Sequence, residues 1–158
     1  MKLLFICTHN RCRSILAEAI VKHIADARLD AASAGSEPAG EVHPLSLKFL
    51  QERGIDTHHC QSQSWDEFED YSPDAVLTLC DSAANETCPV WFGDTVQVHW
   101  GLDDPSKHQG NIEEQRRRFY HTIDIIEQRI QKLLAFLQHN AEPNKHQLQQ
   151  ILDQIAEN

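Results

Sequence analysis

Lys2-Leu3-Leu4-Phe5-Ile6 is an apolar run of strand length, and across residues 14–24 apolar side chains recur at helical spacing. Between them lies Cys7-Thr8-His9-Asn10-Arg11-Cys12-Arg13-Ser14, which must carry the chain from the carboxyl end of a strand into the amino end of a helix. A helix start presents unpaired N–H groups and the positive end of the helix dipole, so this loop suits a doubly charged tetrahedral oxyanion. Arg13 adds a planar fork of donors for two oxyanion oxygens. The same positive field is expected to lower the pKa of Cys7 and hold it as a thiolate nucleophile. Ser14 is expected to cap the helix and to donate a hydrogen bond to that thiolate.

The strand, loop, helix order is repeated along the chain. A short strand is predicted over residues 30–34, ending at Gly35, and a helix from His43-Pro44 to about Arg53, stopped by Gly54. Further strands are predicted over 74–79 and 95–100, each delivering its carboxyl end to a loop, the first at Cys80 and the second before Gly101. Spacings of three and four from Phe119 to Leu137 give a long amphipathic helix over about 111–138, and a last helix follows Pro143. This alternation predicts an α/β fold, a doubly wound, parallel, four-stranded sheet with helices on both faces. Ligands of such sheets bind beyond the carboxyl ends of the strands, where Cys7, Cys80 and the segment after Trp100 fall.

At 158 residues the chain has the size of one ordinary domain, here divided into a main domain over 1–140 and a C-terminal helical extension over 141–158. A net charge of −10 argues against a nucleic-acid partner, and no apolar stretch reaches the length of a membrane span. A cytoplasmic monomer is expected. Five cysteines, an odd count without a secretion signal, argue for thiol chemistry or plain burial over a disulfide framework. His58-His59-Cys60 is the closest approach to metal-ligand spacing, but no such pair is repeated, so these read as solvent-facing loop histidines and no metal is expected.

Residues 7–14 resemble the active-site loop of the low-molecular-weight protein tyrosine phosphatase fold, and the detailed sequence is closer to the arsenate reductases built on that fold. The likeness continues through Ser33-Ala34-Gly35, His43-Pro44, the segment from Cys80 to Cys88, and His99-Trp100-Gly101-Leu102-Asp103-Asp104-Pro105. It implies that Thr8, His9, Asn10, Arg11, Cys12, Arg13 and Ser14 bind the substrate anion. It also implies that Asp104, of the Asp104-Pro105 pair, is the general acid that protonates the departing oxygen, with Asp103 an adjacent competitor. Phosphatases of this family usually place an aromatic residue after the Asp-Pro pair, where this chain has Ser106 and Lys107.

For a reductase the resemblance implies a relay. Cys7 attacks the arsenic of arsenate, Cys80 attacks the adduct to release arsenite, and Cys88 resolves the Cys7–Cys80 disulfide, leaving Cys80–Cys88 for an external thiol reductant. No bound cofactor is expected. Thioredoxin is the expected donor, with glutathione and glutaredoxin as the alternative, because seven residues separate Cys80 from Cys88 where thioredoxin-coupled relatives usually have six. The alternative function is hydrolysis of phosphomonoesters through a Cys7 phosphoenzyme. Cys12 and Cys60 read as structural. Some relatives bind potassium near residues matching Asn10 and Glu18, but the remaining ligands do not align around residues 61–64, so Asn10 and Ser33 are expected to brace the loop.

Overall fold

A computed structural model describes residues 1–86 and 89–157. Among these, β1 (Lys2–Ile6), β2 (Asp30–Ala34), β3 (Ala75–Thr78) and β4 (Val96–His99) form a parallel sheet in the order β2-β1-β3-β4. Phe5 lies opposite Ser33 on one side and Leu77 on the other, and Leu77 opposite Val98. The order reverses between β1 and β3, so the loops that leave these two strands diverge and open a crevice at their carboxyl ends. Cys7 and Cys80 are the residues at the start of those loops.

Alternate residues of each strand feed two layers. Leu3, Phe5, Ala31, Leu77 and Val98 pack against the long helices, α1 (Arg13–Ile24), α2 (Pro44–Glu52), α4 (Ile112–His139) and α5 (Lys145–Glu157). Leu4, Ile6, Ala32, Ala34 and Val76 face the other way, toward Phe92, Ala83 of the short helix α3 (Asp81–Ala84), and Trp65, Phe68 and Tyr71 of a 3-10 segment. The sheet is covered on both faces as predicted, but unequally. The second layer is made of single helical turns too short to leave an apolar periodicity, which is why sequence reading passed over Trp65–Tyr71 and Asp81–Ala84.

Most boundaries fall where local chemistry puts them. His43 caps α2, its Nδ1 accepting from the Leu45 N–H at 3.1 Å, and Gly54 ends the turn at φ 75°. Asn111 caps α4 through the Glu114 N–H at 2.9 Å. α1 departs from expectation, since it begins at Arg13 and its capping position is Cys12, with no side-chain cap. Ser14 lies in the first turn, fully buried. The last helix, α5, lies across the edge strand β4, burying Leu148, Leu152 and Ile155, and the Trp100 indole donates to the Leu152 carbonyl at 2.9 Å.

Candidate active site

The loop after β1 is held from outside. The carbonyls of Thr8, His9 and Arg11 accept from the N–H groups of Glu37, Ala39 and His43 at 2.9, 3.0 and 2.9 Å. With those oxygens tied outward, none of the loop amides from Arg11 to Ser14 has a protein acceptor among the described residues. They are the donors that an oxyanion needs.

Asn10 makes the loop's shape possible. It sits in the left-handed region at φ 45°, donates from Nδ2 to Ser14 Oγ at 2.8 Å, and accepts from the Gln63 N–H on Oδ1 at 2.8 Å. Ser33 donates to Glu18 Oε2 at 3.0 Å, and its carbonyl accepts from Gln63 Nε2 at 3.1 Å. The expected brace is therefore present, and Gln63 joins it through its N–H and its side-chain amide, contacts that no spacing in the sequence announces. Burial pushes the Glu18 carboxyl up to about 7 against the lowering effect of Ser33. Gly35 closes the cradle from beneath, because a Cβ there would collide with the carbonyl oxygens of Thr8 and Cys7.

Cys7, Arg13, Cys80, Asp104, Ser106 and Lys107 line one cavity of about 190 Å³, together with Thr8, His9, Arg11, Cys12 and Ser82. Arg13 is aimed from behind. One guanidinium nitrogen donates to the Leu102 carbonyl at 3.0 Å and the other lies 3.4 Å from Asp104 Oδ2, while its Nε is buried with no partner. A buried, unpaired cationic N–H beside a cysteine is costly unless an anion completes it. Asp103 and Asp104 are separated by the fold. Asp104 faces Cys7's cavity, whereas Asp103 lines a different one behind the loop, with Arg117 and Arg118.

Burial alone would raise Asp104, but the Ser106 hydroxyl and N–H on Oδ1, at 2.6 and 2.9 Å, and the charge of Arg13 outweigh it and hold the carboxyl below its ordinary range. In the protein alone Asp104 is thus a carboxylate.

Cys7 and Cys80 line the same cavity, and each shifts the other's titration. The interaction with Cys80, then burial, pushes Cys7 up despite Arg13, while Cys80 is lowered to about 5, chiefly by the same interaction. Cys80 Sγ also accepts from the Ala83 N–H at 3.4 Å, at the start of α3, and lies 3.7 Å from the Thr8 hydroxyl, which itself donates to Glu86 Oε1 at 3.0 Å. The expected lowering of Cys7 by Arg13 is present but is opposed by Cys80 and by burial, and the two thiols titrate together. The Ser14 hydroxyl accepts from Asn10 Nδ2. Cys12 and Cys60 are each pushed up to about 12 by burial, in keeping with inert structural thiols. Cys88 lies outside the described residues.

Comparison with known proteins places this geometry. A family model for low molecular weight phosphotyrosine protein phosphatase matches residues 2–143. An arsenate reductase of Halalkalibacterium halodurans is 40% identical over 126 residues, which is 80% of this chain and 89% of that protein. One of Bacillus subtilis is 36% identical over 128 residues, 81% of this chain and 91% of that protein. Among solved structures, a thioredoxin-dependent arsenate reductase of Corynebacterium glutamicum superimposes with a TM-score of 0.66 at 29% identity, over 88% of this chain but only 62% of that one. An arsenate reductase of Archaeoglobus fulgidus gives a TM-score of 0.65 at 26% identity, over 80% of this chain and 96% of that one.

Proposed function

This chain belongs to the low molecular weight phosphotyrosine protein phosphatase family, and from that premise we propose that it reduces arsenate to arsenite through a thiol relay begun by Cys7. The observation that carries the reading is the second thiol, Cys80, which lines the same anion cavity as Cys7 and Arg13. Hydrolysis has no use for a second sulfur there, and reduction requires one.

Arsenate enters against the free amides of residues 11–14 and the Nε of Arg13. Its charge draws Arg13 away from Asp104 and repels the carboxylate, both of which raise Asp104. Asp104 then takes up the substrate's proton and passes it to the departing oxygen. Proton transfer within the sulfur pair leaves the charge on Cys7, whose thiolate bonds to arsenic as the protonated oxygen departs; arsenic is still pentavalent. That oxygen, leaving as hydroxide, takes the proton from Cys80 and becomes water, and Cys80, now a thiolate, attacks Cys7 Sγ. The S–As bond breaks with its electron pair on arsenic, so arsenic gains two electrons as arsenite and the two cysteines become a disulfide. Cys88 attacks Cys80 in that disulfide, freeing Cys7. Thioredoxin reduces the final Cys80–Cys88 bond, a reading supported by the thioredoxin dependence of the similar Corynebacterium glutamicum arsenate reductase.

The test is arsenate-dependent NADPH oxidation by the purified protein, with thioredoxin and its reductase compared against glutathione, glutaredoxin and glutathione reductase. Turnover with thioredoxin, lost in both Cys80→Ser and Cys88→Ser while aryl phosphate hydrolysis persists, is the expected result. Absence of turnover with either system, beside brisk hydrolysis, would sink the relay.

A further inference from the structure

At the far end of α1 from the anion loop, roughly 15 Å along a helix of this length, the chain assembles a second group of polar side chains. Lys22 and His23 of its last turn share a cavity of about 390 Å³ with Asp56, His58 and His59. Among the described residues, Asp56, His58 and His59 are the one group of three or more histidine, cysteine or acidic side chains able to converge on a metal ion, with one ligand atom from each within 4.8 Å of the others. From the geometry we infer that they form a site for a divalent transition metal ion, with Zn²⁺ the best match.

The segment is held in place from both ends. Ile55 is buried and its N–H donates to the Leu50 carbonyl at 3.0 Å, the Cys60 N–H closes a turn on the Thr57 carbonyl at 3.0 Å, and Gln51 Nε2 donates to Thr57 Oγ1 at 2.9 Å. Asp56 is oriented by the backbone, its Oδ1 accepting from the His58 N–H at 3.1 Å, which leaves Oδ2 against His58 Nδ1. That oxygen and that nitrogen face each other, and a cation can take the place between them when both rotate slightly outward. His59 completes the set. Lys22, which shares the cavity, is paired with Asp30 at 3.1 Å.

Two imidazoles and one carboxylate are the donors of an open zinc site, with water in the fourth position. Calcium and magnesium demand oxygen-rich shells that this cluster lacks. Tetrahedral ligands with bonds of about 2.0–2.1 Å stand about 3.4 Å apart, a contraction within reach of exposed side chains. An ion here also ties the segment after α2 to itself while leaving the anion loop untouched, so binding reads out as stability.

Because Cys7 and Cys80 would also take Zn²⁺, the experiment uses the full chain with its accessible thiols alkylated by iodoacetamide. Zn²⁺ is titrated against a chromogenic chelator and thermal unfolding is followed with and without the ion. One Zn²⁺ per chain is expected, with a raised Tm, and with affinity falling roughly tenfold or more in Asp56→Asn and in His59→Ala. The double variant His58→Ala/His59→Ala should melt like the wild type without metal and gain nothing from Zn²⁺. An alkylated wild type that binds no Zn²⁺, or a double variant that binds it as well as the wild type, overturns the site.

Discussion

The chemistry of the pocket turns on where one proton sits between Cys7 and Cys80. The neighbouring Cys80 is the largest influence raising Cys7, and Arg13 is the influence that lowers it. Cys80→Ala removes the first and keeps the second. The pH midpoint for alkylation of Cys7, followed by mass spectrometry of its peptide, is therefore expected to fall in that variant. A midpoint that stays put or rises would show that Cys80 does not govern the proton. The pairing also explains how one site supplies two nucleophiles in turn: Arg13 and the anion-binding amides favour charge on Cys7, while Ala83, Thr8 and the start of α3 favour it on Cys80. The sequence put both cysteines at the ends of neighbouring strands. It could not show that Thr8 and Glu86 would meet Cys80's side of the cavity, because those contacts cross more than seventy positions of chain.

At the scale of elements, the anion loop is shaped less by its own residues than by what lies beneath and beside it. Gly35, the residue after β2, lets that strand's end pass directly under the loop. Gly35→Ala would force Thr8 and Cys7 carbonyls to move, with an expected cost of about 1–3 kcal/mol for overpacking and a larger loss in anion binding. Thermal melts beside phosphate protection of Cys7 from alkylation measure both. Retention of full protection would mean the cradle tolerates the shift. The long helices were legible because α2 and α4 carry apolar stripes with His43, Gly54 and Asn111 at their ends, while α1 is an apolar run buried from Ser14 to Val21. The cap of α1 lies at Cys12, two residues before the expected Ser14, because Ser14 is a good capping residue in isolation but sits inside the first turn, where its hydroxyl accepts from Asn10.

For the whole molecule, the brace beneath the site carries an energetic cost. Glu18 is buried, and its carboxyl is pushed from 4.5 up to about 7. Between those values the unfolded chain has released a proton that the folded protein keeps. Stability therefore falls as pH rises through that window, and above it the cost is constant, on the order of 3 kcal/mol. Glu18→Gln is expected to flatten that part of the curve and to be the more stable protein at pH 8, as urea unfolding at pH 5 and pH 8 would show; an unchanged slope would place the dependence elsewhere. The other whole-molecule feature is α5, which continues past the family match at residue 143 yet shares the main core through Leu148, Leu152 and Ile155. No described helix is long and apolar enough to cross a membrane.

Local chemistry was enough to determine the parallel α/β fold, the strand-to-helix position of Cys7 and Arg13, and the placing of Cys80 at a strand end, because periodicity, caps and glycines act over a few residues. Tertiary structure alone decided which of two adjacent aspartates faces the nucleophile, that Cys80 shares the cavity of Cys7, and that Thr8 meets Glu86 beside it. Each of these depends on distances between segments far apart in the chain, and a pKa or a cavity lining is a property of those distances, which spacing along the sequence does not encode.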